Sequence, residues 1–366
     1  MNLNNTYKMS IDEEWLNFQE NGIYENLNEN VEQEDEGKKN PKCSDIYIST
    51  QTKIAYLNEK VDLKSVFWEL PVLEYHIPKN GIIKKQMKIN CLSKEETVVL
   101  EEKIQEKNIK FDIITQIDNP NARKVKFKDI RKLTDGICSK DLISYRKKQR
   151  GAFYNCFALI IRILYKNAFK EVHVKVFNTG KLEIPGIQYD DLLDVTFEFL
   201  LKVLQPFYTK KLFIDEKGID TVLINSNFSC NFYIDRNIFY NKLKYKYKLH
   251  VLFDPCSYPG IQCKFYYNKN KEIQNGVCDC ETKCIKDKQK QKKEKRPLNC
   301  KEISFMIFRT GSILIVGHCD KIILHIIYRF IKDILIKEHA AIYIKPEDKK
   351  HKKKKKRQKT FLIKIQ

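Results

Sequence analysis

KEISFMIFRTGSILIVGHCDKIILHIIYRFIKDIL, residues 301–335, decides how the rest of the sequence is read. It divides into a strand, a three-residue turn at Thr310–Ser312, a second strand and a long apolar helix. Gly311 suits a tight hairpin because it tolerates positive φ without a Cβ clash. A turn placed there pairs Phe308 with Leu314. Side chains alternate across a strand, so Ile307, Ile313 and Ile315 share one face and Met306, Phe308, Leu314 and Val316 the other. A helix opening at Asp320, a favourable N-cap, covers one face only. The second apolar face requires a further protein layer or a flat apolar ligand.

The same layout occurs earlier, in VKVFNTGKLEIPG (174–186) followed by a helix over Asp190–Leu204. Phe177 matches Phe308, Gly180 matches Gly311 and Gly186 matches Gly317, each at an offset of 131 (308 − 177, 311 − 180, 317 − 186). A hairpin-plus-helix unit met twice points to internal duplication. The tetrapeptide PGIQ also recurs, at Pro185–Gln188 and Pro259–Gln262, but one copy follows a hairpin and the other opens a strand, so this match is coincidental.

Outward from the hairpins, each half reads strand, helix, strand, strand, strand, helix. In the first half IYISTQTKIAYL (46–57) is a strand, Asp62–Leu70 a short capped helix and Ala152–Tyr165 a strand. In the second half TVLINSNFSCNFYI (221–234) is a strand, Asp235 caps a helix to Leu243, and Lys248–Asn268 supplies strand material. The predicted fold class is α+β: a curved antiparallel sheet with helices on one face and the other face bare. The boundaries are an acidic arm at 1–42, expected to be disordered, a first repeat at 45–205, a second repeat at 219–337 and a basic tail at 346–366. The first repeat is interrupted by an insertion at about 71–150, read as irregular apart from a helix over Ser93–Lys107 and marked by the charged runs RKVKFKDIRK and RKKQR. The second is interrupted by a Cys- and Lys-rich insertion at 269–300.

The 366 residues carry a net charge of +21, which favours polyanionic partners, nucleic acid above all. Part of that surplus is the run HKKKKKR in the tail, which fits a non-specific nucleic-acid contact, a nuclear import signal, or lysine enrichment from an AT-rich genome. The start of the chain shows no apolar leader segment, so a reducing compartment is expected for the 12 cysteines. The longest apolar stretch, Ile322–Ile336, is broken by His325, Arg329, Lys332 and Asp333 and is too short to span a bilayer. No membrane partner is expected.

Taken together, YPGIQCKFYYN (258–268), FMIFRTGSILIVG (305–317), VFNTGKLEIPG (176–186), INSNFSCNF (224–232) and ISTQTKIAYL (48–57) resemble the TATA-box-binding proteins, most closely the divergent members found in large nucleocytoplasmic DNA viruses. The resemblance covers roughly residues 45–335 and is stronger in the second half. It implies a pseudo-two-fold saddle of two repeats, monomeric, with helices on the convex face. It further implies binding of AT-rich promoter duplex through the minor groove, with aromatic wedges opening base steps; this family is itself a standard case of that mechanism. On that basis Phe308 and Phe177 match one wedge of each pair, Tyr258 stands where the family has Phe, and Phe157 is its first-repeat counterpart. Met306, Leu314 and Val316 match the apolar groove floor, and Asn225, with Asn227 on the same face, reads groove acceptors. Asn225's first-repeat counterpart falls near Asp45. Lys175, Glu183 and Pro185 depart from the pattern. The partners implied are double-stranded DNA, other initiation factors and the RNA polymerase machinery, with action in a cytoplasmic viral factory or the host nucleus, or packaging in the virion.

Cys278, Cys280, Cys284 and Cys300 place four thiols in one insertion, a set suited either to tetrahedral zinc or to unligated reduced thiols. The 7 histidines do not cluster with acids or cysteines at catalytic spacings, and with 12 glycines no phosphate-cradling loop is present, so no enzyme is expected. Two other functions fit the same sequence: an interaction or virion protein with a degenerate saddle, and a general nucleic-acid-binding accessory factor.

Overall fold

Asp62 and Asp235 each start a short helix in the same way. Asp62 accepts hydrogen bonds from the backbone N–H groups of Lys64 and Ser65, opening α1 (Leu63–Glu69). Asp235 accepts from Asn237 and Ile238, opening α5 (Arg236–Asn241). These caps satisfy donors that the first helical turn leaves unpaired. The two aspartates are 173 residues apart, and the same offset governs much of what surrounds them.

The structure, a computed structural model, describes residues 41–143, 153–215, 218–280, 284 and 299–345. The arm up to residue 40, the run at 146–150 and the tail at 346–366 lie outside the described residues. The chain is mixed α+β with antiparallel strands and separates into two compact units: residues 52–220, and residues 41–51 together with 221–345. The division falls within β1 (Tyr47–Tyr56). Among the described residues no helix is long and apolar enough to cross a membrane.

The first unit contains Thr52–Tyr56 of β1, α1, β2 (Gly81–Cys91), α2 (Lys94–Glu106), β3 (Lys110–Asp118), β4 (Phe127–Gly136), the short α3 (Ser139–Ile143), β5 (Cys156–Tyr165), β6 (Ala168–Phe177), β7 (Lys181–Ile187) and α4 (Asp190–Leu204). Its strands run β1-β7-β6-β5-β2-β4-β3 across the sheet. The second unit contains β8 (Asp220–Ser229), β9 (Tyr233–Ile234), α5, β10 (His250–Leu252), β11 (Ile261–Asn268), β12 (Cys300–Ile307), β13 (Ser312–Gly317), α6 (Lys321–Ile342) and β14 (Tyr343–Ile344). Its strands run β8-β13-β12-β11-β10. The order β1-β7-β6-β5 in one unit is therefore the order β8-β13-β12-β11 in the other.

The hairpins share one register. Lys175 faces Glu183 and Val176 faces Leu182 in β6–β7; 131 residues on, Met306 faces Leu314 and Ile307 faces Ile313 in β12–β13. In both turns the glycine N–H donates to the phenylalanine carbonyl at 3.0 Å, Gly180 to Phe177 and Gly311 to Phe308. Both glycines have φ near +80° (83° and 82°), a region closed to most side chains. The expected pairing of Phe308 with Leu314 is thus corrected by two residues. Phe308 N–H donates to the Ser312 carbonyl and the turn holds Arg309, Thr310 and Gly311. A shift of two preserves the faces: Ile303, Phe305, Ile307, Ile313 and Ile315 are buried against the helices.

Across its described residues, 71–143, the insertion is not irregular. Beyond the predicted helix, capped by Ser93, it supplies β2, β4 and β3, which extend the first unit's sheet past β5. The charged run RKVKFKDIRK becomes the β3–β4 turn and the start of β4. Asp129 and Arg131 turn toward the helices, where Arg131 Nε and Nη2 donate to the Asp129 carboxylate and Nη2 to Glu101 at 2.7 Å. Lys128 and Lys132 take the other face by alternation.

In the second unit α6 runs to Ile342, seven residues past the expected end, and its last turns carry a buried carboxylate, Glu338. Lys246 Nζ and Tyr247 OH donate to one oxygen at 2.6 Å, and Lys242 Nζ reaches the other at 2.7 Å. Burial opposes its ionisation, but these three donors outweigh it and hold the carboxyl at about 2. A depressed carboxyl contributes stability that is full above the unfolded value of about 4.3 and lost as pH falls toward 2. Glu338→Gln is expected to destabilise the protein by about 1.5–3 kcal/mol at neutral pH. Denaturant titrations should show the deficit shrinking between pH 4 and the folded value of about 2.

Candidate nucleic-acid interface and thiol cluster

Strand alternation sets one face of each unit's sheet against its helices and leaves the other more open. In the second unit the open face is built from cross-strand rows. Asn227, Leu314, Met306 and Gln262 form one row, and Asn225, Val316, Ser304 and Lys264 the next. Every one of these residues is partly exposed. Five predicted groove-floor residues, Met306, Leu314, Val316, Asn225 and Asn227, are therefore brought together as two amides beside three apolar side chains. Asn225 Nδ2 donates to Thr50 Oγ1 at 3.2 Å, which fixes the amide's orientation. Lys264 is tied to Glu302 at 3.0 Å.

The aromatics behave differently. Phe308 is 2% exposed, its ring 6.0 Å from that of Tyr258 at 56°. A Cβ added to Gly260 would lie 2.9 Å from the Phe308 ring, so the glycine gives this ring its space. The expectation that Phe308 projects from the open face is corrected: in this structure it is packed at the hairpin end. Burial pushes the Tyr258 hydroxyl up to about 12. Phe177, the first unit's equivalent of Phe308, is half-buried with Lys181 Nζ 5.7 Å from its ring centre.

Phe157 is the clearest misassignment. It is fully buried, 6.4 Å from the Phe67 ring of α1, on the helix-facing side. The registers show why. Cys156 faces Phe177 in β5–β6, while Ile261 faces Ile307 in β11–β12. Matching Phe177 with Phe308 then equates Phe157 with Ile261, a core position, and Tyr258 with Tyr154 at an offset of 104 (258 − 154). Tyr154 is 52% exposed. The signal that could have found it is Asn155, whose φ of +58° ends the loop before β5. The counterpart of Asn225 likewise moves: the 173-residue offset of the caps equates it with Thr52 rather than Asp45.

The first unit's open face lacks the apolar floor. Lys175 and Glu183 stand where the second unit has Met306 and Leu314, and they close on each other at 2.6 Å. The carboxylate that should repel a polyanion is thereby largely neutralised. His173 and Ala158 lie alongside.

The four cysteines of the second insertion are gathered at the ends of β11 and β12. Their sulfurs all lie within 4.8 Å of one another. Cys280–Cys300 is 3.6 Å, Cys280–Cys284 3.8 Å and Cys278–Cys300 3.9 Å. Four sulfurs at about 2.3 Å from a tetrahedral ion would be spaced about 3.8 Å apart, so the donor set fits zinc. Burial opposes ionisation of Cys278, but N–H donation from Cys284 and Cys280 brings its thiol down to about 7.

No protein-family model and no curated protein matches the sequence. Among solved structures the chain is similar to Methanococcus jannaschii TBP, at 12% identity and a TM-score of 0.37, over 81% of this chain and 99% of that one. A TM-score of 0.37 is a weak overall superposition; the function proposed below rests on the residues and their registers.

The packing of Phe308 has a direct consequence. Phe308→Ala is expected to cost about 3–5 kcal/mol, comparable with about 2–5 kcal/mol for Ile307→Ala. Leu314→Ala, on the open face, should cost clearly less than either. Chemical denaturation of the three variants checks the order.

Proposed function

We propose that the chain is a non-enzymatic, TATA-binding-type transcription factor that grips AT-rich duplex through the minor groove with the open face of its second unit. The observation that carries this is the pair of rows on β8, β13 and β12, where Asn225 and Asn227 sit beside Val316, Leu314 and Met306. An AT minor groove offers acceptors and few donors, so amide donors set among apolar side chains are its chemical complement. The shared hairpin register and the charge of +21 support the same reading. A saddle of two repeats, duplex bending, and a viral initiation factor acting with the polymerase machinery in a viral factory or nucleus belong to this proposal. The cysteine cluster holds a structural zinc in it, clamping the insertion to the base of β11 and β12.

Fluorescence-detected binding and bending of AT-rich and GC-rich duplexes tests the function. The protein should prefer and bend the AT duplex, and Leu314→Glu should weaken that binding at least tenfold while leaving the melting temperature within a few degrees. Equal affinity for both duplexes, or a Leu314→Glu protein that binds normally, would overturn the assignment. For the metal, protein purified under reducing conditions without chelator should contain one zinc per chain. Cys280→Ser should release it and loosen the insertion, with both units still folded. Elemental analysis finding no zinc sinks that part alone.

A further inference from the structure

The extension β2-β4-β3 gives the first unit's open face a basic surface edged by exposed rings. On the open face Lys88 of β2 stands directly opposite Lys132 of β4. Lys128 lies on the same face of β4. Next to these lysines, the segment entering β5 presents Phe153 and Tyr154, 63% and 52% exposed. Lys88 Nζ is 3.7 Å from the Tyr154 ring centre and Lys175 Nζ is 4.3 Å from that of Phe153. Hydrogen bonding from Lys88, with the nearby charge of Lys128, lowers the Tyr154 phenol below its ordinary range. The acids on this face are engaged: Asp112 faces Lys132 from β3, Glu183 is paired with Lys175, Asp141 with Lys84, and Glu171 accepts from Ser139.

We infer that this corner of the first unit is a second nucleic-acid site, taking a single strand with phosphates on Lys88, Lys128 and Lys132 and a base stacked on Tyr154. Exposed aromatic rings select for unpaired bases, because a duplex already stacks its base faces internally, and lysines beside the rings follow the backbone. An acidic peptide would satisfy the lysines but leave the two rings without a matching surface. The site is distinct from the groove-reading face of the second unit: its phosphate-binding lysines stand on β2 and β4, strands outside the repeat, beside Tyr154, the first unit's counterpart of Tyr258.

Fluorescence anisotropy of the full-length protein with fluorescein-labelled oligothymidylate tests it. Tyr154→Ala should weaken binding about tenfold, with Tyr154→Phe retaining it. The double variant Lys88→Gln/Lys132→Gln should weaken it and lower the salt slope of log K by about 1.4, two contacts at roughly 0.7 each. Leu314→Glu should leave oligothymidylate binding unchanged while AT-duplex binding falls, which separates failure of this site from failure of the groove-reading face. Circular dichroism and melting temperatures verify that each variant is folded. Wild-type affinity in folded Tyr154→Ala and Lys88→Gln/Lys132→Gln proteins overturns the proposal. So does polyglutamate competing as well as unlabelled oligothymidylate at equal charge, which would make the corner a general polyanion contact.

Discussion

Each unit depends on one close backbone approach. The turn glycine of the hairpin lies against the chain leaving the preceding strand, with no room for a side chain: a Cβ on Gly311 would overlap the Phe232 carbonyl oxygen, and one on Gly180 that of Glu59. Two pairs of backbone hydrogen bonds seat the turns there. Leu57 N–H donates to Gly180 and Val61 to Asn178; 173 residues on, Cys230 donates to Gly311 and Ile234 to Arg309. This seam ties the hairpin to the strand and capped helix that precede it. The register of the hairpin then places every second side chain against the core and every other one on the open face.

Given that frame, the two units diverge through substitutions at equivalent positions. Met306 and Leu314 make an apolar floor; Lys175 and Glu183 close into an ion pair at the same place. A cross-strand pair of opposite charge sits in a sheet about as comfortably as an apolar pair, so the fold tolerates the exchange while the chemistry of the surface changes. The first unit's charged face continues onto the three added strands, the second unit's apolar face ends at the short β10. The chain thus presents two unlike surfaces on one repeated scaffold.

The sequence made the second hairpin, its buried face, both aspartate caps and the cysteine set legible, because alternation, capping and ligand spacing are local signals. What it hid was non-local. β2 reads poorly as a strand because Lys84 and Lys85 are adjacent charges, yet both are buried: Lys84 pairs with Asp141 at 2.7 Å, and Lys85 donates to the Leu70 carbonyl at 2.7 Å and faces Asp135. β3 is an edge strand, exposed along nearly its whole length, so no apolar pattern marks it. Phe157 reads as a surface wedge because it is an aromatic at the start of an apolar strand; only the register with β6 shows that it faces the core. The burial of Phe308 is not legible locally, because Gly260, which makes room for its ring, lies 48 residues away (308 − 260).

The cysteine insertion has a consequence for chain length. Asn268 and Cys300 are register partners on adjacent strands, so the excursion between them leaves and re-enters the sheet at one point. Cys284 and Cys300 meet in the sulfur cluster, so the length of chain between them bears on stability through the entropy of closing that span. Doubling such a loop costs only about 0.6 kcal/mol. By that logarithmic dependence, the number of residues and charges between Cys284 and Cys300 is only loosely constrained by the strand pairing of Asn268 with Cys300.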